Sequence, residues 1–116
     1  MATDVLRGHL DGLLLSVLAD GPRHGYAVIE LLRTRSAGVL DLPTGTVYPA
    51  LRRLERQGWA DCDWDEPDGL RRRRTYRITE AGHRHLRERR VEWRVFSAAI
   101  ERVLIAGSGS PVLPMG

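Results

Sequence analysis

A mainly helical domain with a small β-hairpin, a winged helix-turn-helix followed by one long C-terminal helix, is the fold that three features of this sequence predict. The first is Gly45 to Glu55, which reads as a helix with one apolar face and one arginine face. The second is an alternating run from Trp59 to Trp64, answered beyond a turn-rich segment by Arg71-Arg72-Arg73-Arg74-Thr75-Tyr76. The third is a spaced series of apolar residues between Leu86 and Val103. A helix followed by a hairpin with a cationic rim is how winged domains grip DNA.

The elements follow in order. Leu6, Leu10, Leu13, Leu14, Val17 and Leu18 recur at three- and four-residue spacing, which predicts an amphipathic first helix. Asp20-Gly21-Pro22 ends it, since glycine accepts a left-handed cap and proline cannot continue a helix. A second helix is expected from about His24 to Arg35, burying Tyr26, Ile29 and Leu32, with Gly38 as its stop. Val39-Leu40-Asp41-Leu42 is expected to add a short strand.

Pro43-Thr44-Gly45-Thr46 offers two threonines as N-caps, whose hydroxyls accept from the free amides of a first turn. The third helix therefore starts close to Thr44 or Thr46 and ends at Gly58, with Pro49 near enough to the start to be tolerated. At about 100° per residue, Val47, Leu51, Leu54 and Gly58 share one face. Pro49, Arg52, Arg53 and Arg56 lie opposite, with Tyr48 at the flank. In the first wing strand Ala60, Cys62 and Trp64 alternate with Trp59, Asp61 and Asp63, both tryptophans being read as packing residues. Asp65 to Gly69 is rich in turn formers, and the return strand sets Tyr76 and Ile78 inward and Thr75 and Arg77 outward. DNA contact is expected from the hydroxyls of Thr44, Thr46 and Tyr48, from Arg52 and Arg53, and from at least two of Arg71, Arg72, Arg73 and Arg74. The bland alternative is a solvated arginine face and a charged hairpin edge.

Thr79 caps the last helix, expected from Glu80 to Leu104, with Glu80 placed to meet the helix dipole. Leu86, Trp93, Phe96, Ile100 and Val103 form a heptad-like seam that Arg89 interrupts. With the first three helices forming the small core, this stripe is left without a partner in the chain, and a second copy is the expected cover. The division that follows is a DNA-binding domain over residues 1–79, a dimerisation helix over 80–106 and a flexible tail over 107–116.

Composition excludes much else. At 116 residues the chain is one domain with a modest core. Basic groups exceed acidic ones by 18 to 15, and the excess is uneven. Residues 1–50 carry four arginines against five carboxylates, and residues 51–116 carry fourteen against ten. The positive potential thus falls on the proposed DNA-contacting elements. One cysteine, Cys62, permits no internal disulfide and fits a reducing compartment. The N-terminus carries no signal-peptide pattern, and the apolar run from Leu10 to Ala19 is too short to span a bilayer. These features predict a cytoplasmic protein without membrane attachment. His9, His24, His83, His85 and Cys62 show no clustered ligand spacing, and no nucleophile–base pair or phosphate loop appears, so neither a metal, a cofactor nor catalysis is expected.

The segments resemble the PadR family of bacterial transcriptional regulators. The resemblance is carried by Leu6-Arg7-Gly8-His9-Leu10, Gly21-Pro22-Arg23-His24-Gly25-Tyr26, Gly45-Thr46-Val47-Tyr48-Pro49-Ala50-Leu51, Arg53-Leu54-Glu55 and Arg72 to Gly82, in that order. A single C-terminal helix is similar to the family's shorter branch. The resemblance implies a homodimeric repressor on a palindromic operator, released by a small, often aromatic effector. Some members of that branch hold flat hydrophobic molecules between paired tryptophans at the dimer centre, which implies such a role for Trp93 and, beside it, Phe96. The rival reading is a winged-helix protein-interaction module that does not bind DNA.

Overall fold

A computed structural model describes residues 8–65 and 73–105, with only the backbone of Asp65 and Arg73. Leu6, Arg71, Arg72, the turn beyond Asp65 and the tail lie outside the described residues. Among the described residues the elements are α1 (Leu10–Leu18), β1 (Arg23–His24), α2 (Gly25–Arg35), α3 (Thr44–Arg56), β2 (Ala60–Asp65), β3 (Arg73–Ile78) and α4 (Glu80–Leu104). The strands form an antiparallel sheet of order β1-β3-β2. β2 and β3 pair from Ala60↔Ile78 to Asp65↔Arg73, and β1 takes the other edge of β3 through Arg23↔Tyr76 and His24↔Thr75.

One core joins all four helices to the sheet. Leu14, Leu15 and Leu18 of α1, Val28 and Leu32 of α2, and Val47, Leu51 and Leu54 of α3 are buried together with Ala60, Tyr76 and Leu86. Each such aliphatic side chain contributes about 1.5–3 kcal/mol when fully removed from water. α3 thereby presents its apolar row inward, which fixes the face it turns outward.

Several expectations need correcting. Tyr26 is not buried; it is 61% exposed, because it sits at the start of α2 on the side away from Val28 and Leu32. His24 belongs to β1, so α2 starts one residue later than expected. No strand forms at Val39–Leu42; the free edge of β3 is taken by Arg23–His24 instead. The N-cap of α3 is Pro43 and no side chain caps that end. The Pro43 carbonyl accepts from the amides of Thr46 and Val47, and both threonines lie inside the helix, so neither serves as its cap. Pro49 consequently falls in the second turn, where it cannot donate to the carbonyl of exposed Gly45. α3 ends at Arg56, and Gly58 supplies the positive φ (81°) that lets Trp59 N–H return to the Leu54 carbonyl. α2 closes in the same way with Ala37 at φ 55°, a non-glycine residue in the left-handed region.

The cap of α4 is as expected. Thr79 Oγ1 accepts from Gly82 N–H at 3.0 Å and donates to the Gly58 carbonyl at 2.7 Å, while Thr79 N–H donates to the Trp59 carbonyl at 3.0 Å. Trp59 stacks on His85 at 3.7 Å between ring centres. Gly82 lets these segments meet: a Cβ there would stand 2.1 Å from the Trp59 carbonyl oxygen. The end of α3 and the start of α4 are thus joined by main-chain contacts.

α4 is not without a partner in the chain. Its first half packs on α1, where the Arg89 Cβ would lie 3.3 Å from a Cβ at Gly12 and the Arg89 guanidinium donates to the Gly8 carbonyl at 3.0 Å. Leu86, expected in a dimer seam, is 3% exposed and belongs to the core of its own chain. The apolar residues beyond it remain open: Trp93 is 50%, Phe96 53% and Val103 76% exposed.

Candidate nucleic-acid interface

The outward stripe of α3 follows from the inward one. With Val47, Ala50, Leu51 and Leu54 buried, Gly45, Pro49, Arg52 and Arg56 line the exposed side. Thr46 and Arg53 stand on one flank, Tyr48 and Glu55 on the other. Gly45 and Pro49 keep the first two turns free of bulky side chains, so another surface can approach the backbone closely. No hydrogen bond or ion pair among the described residues holds Arg52 or Arg56.

The other predicted arginines differ. Arg53 is drawn to the α1 flank, where its guanidinium meets Asp11 at 2.5 Å. Arg74 points to the α3 side of the wing and is bonded to Glu55 Oε1 at 2.7 Å and Cys62 Sγ at 2.9 Å. It also lies over the rings of Trp64 and Tyr76, at 5.2 and 5.6 Å. The bond to Cys62 is the main influence raising the Arg74 pKa above its ordinary value, and burial raises that of Tyr76. The cation therefore persists at any physiological pH. Trp64, expected to be a packing residue, is 54% exposed, because the strand carries it past the core toward the wing tip. On the opposite face of the wing Arg77 bonds Asp63 at 2.6 Å. Arg73 is placed in β3 by its backbone, and Arg71 and Arg72 lie outside the described residues.

Sequence reasoning places Thr44, Thr46, Tyr48 and Arg52 together, and the structure gathers them along the first two and a half turns of α3. It does not find the partners of Arg53 and Arg74, since Asp11 and Glu55 are 42 and 19 residues away in the chain. A second concavity lies between α1 and α4, a groove of about 780 Å³ whose lining includes His9, Leu13, Arg89, Trp93, Phe96 and Ile100. His9 meets Trp93 edge-on at 5.1 Å. Its signal in the sequence is weak, because His9 and Trp93 are far apart.

The family model described as the transcriptional regulator PadR-like family matches residues 14–88. The chain belongs to the PadR-like family. The matched span holds α2, α3, the wing and the core-packed first turns of α4, and stops before Trp93. A PadR family transcriptional regulator from Eggerthella lenta is 35% identical, with a TM-score of 0.78 over 90% of this chain and 89% of that one. A transcriptional regulator from Clostridium thermocellum is 30% identical, with a TM-score of 0.81 over 87% of this chain and 98% of that one. An uncharacterized protein from Lysinibacillus sphaericus is 29% identical over 91 residues, 78% of this chain and 84% of its own. The fold is thus the PadR winged helix, and the protein is a DNA-binding transcriptional regulator. Its family and these structural neighbours are regulators, not enzymes. No helix among the described residues is long and apolar enough to cross a membrane.

Proposed function

We propose that this PadR-like protein is a cytoplasmic homodimeric repressor that binds a palindromic operator through α3 and the wing. The carrying observation is the α3 stripe, where Arg52 is exposed beside Gly45 and Pro49 and no hydrogen bond or ion pair among the described residues holds it. In this reading Arg52 enters the major groove, and Thr44, Thr46 and Tyr48 bond phosphates. Arg71, Arg72 and Arg73 supply phosphate or minor-groove contacts, while Arg53 and Arg74 brace α3 from its two flanks. The apolar residues of α4 from Trp93 to Val103 pair with a second copy, so that two domains face two half-sites. The first turns of α4 count with the winged domain in this division, because Leu86 lies in its core.

Fluorescence anisotropy with a labelled fragment of the protein's own promoter region tests the DNA reading. With 6–10 phosphate contacts per dimer, affinity is expected to fall by roughly 10³–10⁵ between about 50 and 200 mM salt. Arg52→Ala should cost on the order of 1–3 kcal/mol per contact and relax sequence preference. Arg53→Ala, by contrast, should leave preference intact. No binding to that fragment at low salt leaves the winged-helix protein-interaction module as the better reading.

The groove at Trp93 supports release by a small planar, hydrophobic effector. Indole rings near a two-fold axis stack on a flat guest, with Phe96 alongside, and Arg89 and Arg94 can pair with a carboxylate on it. Titration of planar aromatic compounds should quench tryptophan emission in a manner lost in dimeric Trp93→Ala. A broad panel without Trp93-dependent quenching assigns this residue to interface packing alone.

A further inference from the structure

Gly25 opens α2, yet its backbone does not need glycine: the positive-φ glycines among the described residues are Gly21, Gly38 and Gly58. What needs glycine there is a neighbour. A Cβ at position 25 would lie 2.8 Å from Cε1 of Tyr48, 3.3 Å from Cδ1 and 3.5 Å from Cζ. One edge of the phenol ring therefore fills the space a side chain would take. Real Cβ atoms essentially never come within 3.0 Å, so any larger residue at this position must displace the ring. Tyr48 is half-buried on the flank of α3 between the core row and the exposed stripe.

We propose that Gly25 is a positioning residue for DNA binding, whose missing side chain seats the Tyr48 ring and thereby fixes where its hydroxyl meets the nucleic acid. The inference rests on the reading that Tyr48 bonds a DNA phosphate. A tyrosine side chain turns about two bonds, and contact along one ring edge removes most of that freedom. The hydroxyl then waits at one position and loses little entropy on binding. Alanine is a better helix former than glycine, so the backbone of α2 loses nothing by the substitution. The ring is half-buried and packs on the outside of the core rather than within it, so a swing toward solvent uncovers the margin of the core and leaves its fully buried residues in place. The effect should fall on DNA affinity and spare stability.

The test is a double-mutant cycle on the full chain, with Gly25→Ala, Tyr48→Phe, Tyr48→Ala and Gly25→Ala/Tyr48→Ala. Binding to the promoter fragment is read by anisotropy at fixed salt, and Tm by circular dichroism. Tyr48→Phe and Tyr48→Ala should each weaken binding roughly tenfold, the scale of a lost hydrogen bond to a charged group. Gly25→Ala should weaken binding comparably with Tm unchanged, and should add nothing in the Tyr48→Ala background. Weak Tyr48 variants beside a Gly25→Ala protein that binds as wild type overturn the seat alone. So does a Gly25→Ala loss that persists undiminished without Tyr48. If Gly25→Ala lowers Tm and Tyr48→Ala restores it, the contact serves stability, and the positioning role is overturned. Tyr48 variants that bind as wild type overturn the phosphate reading and the seat together.

Discussion

The two halves of α4 are written in the same alphabet and do different work. Toward the N-terminus, Gly82 and Leu86 are buried against Trp59 and the α1 side of the core, and Arg89 is laid across Gly12. Toward the C-terminus, Trp93, Phe96, Ile100 and Val103 repeat the apolar spacing but stay exposed, with Trp93 and Phe96 meeting His9 at the start of α1. Periodicity reports that a helix face is apolar; it does not report whose surface covers it. The first half is settled by the chain itself and bears on stability. The second leaves an apolar area that a further surface can bury, and bears on assembly.

The sharpest way to separate the halves is Leu86→Ala. It removes a residue from the core of a single chain and should lower unfolding free energy by about 2–5 kcal/mol, read by urea denaturation at fixed protein concentration. A loss confined to the dimer, with the monomer as stable as before, would return Leu86 to the intermolecular seam. The complementary change is Phe96→Asp with Ile100→Asp. Both positions are exposed in the single chain, so the fold should change by no more than about 0.5 kcal/mol. Charges placed in an apolar seam cannot be hydrated or paired there, so light scattering should show the mass falling to that of one chain. Operator affinity should fall with it, since a lone half-site loses the gain from tethering the second domain. A dimer that survives both substitutions would place the interface elsewhere.

What was legible in the sequence was what neighbours along the chain decide. Val47, Leu51 and Leu54 on the inward face of α3, the Thr79 cap and the span of α4 follow from local spacing, and the structure has them where the spacing puts them, whereas Gly58, expected in the same row, lies beyond the helix and is exposed. What was not legible was decided across the chain. β1 is two residues long, too short for any alternation, and exists because β3 has a free edge beside it. The split among arginines depends on Asp11, which reaches one flank of α3 only once α1 has packed, and on Glu55 on the other flank, which Arg74 meets only once the wing has packed. Leu86 fits the heptad series equally well as core or as seam, and only the position of α1 decides between them.

The joint between Thr79, Gly58, Trp59 and Gly82 makes α4 a lever with α3 fixed to its short end. Hydrogen bonds from Thr79 to the Gly58 and Trp59 carbonyls and the close approach of Gly82 to Trp59 tie the two helices together there. The arm is roughly 37 Å long, from 25 residues at about 1.5 Å each. In a dimer clasped at the far ends of two such arms, a change of about 5° in the angle of one arm carries its α3 through roughly 3 Å, close to the rise of one base pair. The spacing of the two half-sites would then be set like a pair of dividers, by the opening angle at the clasp.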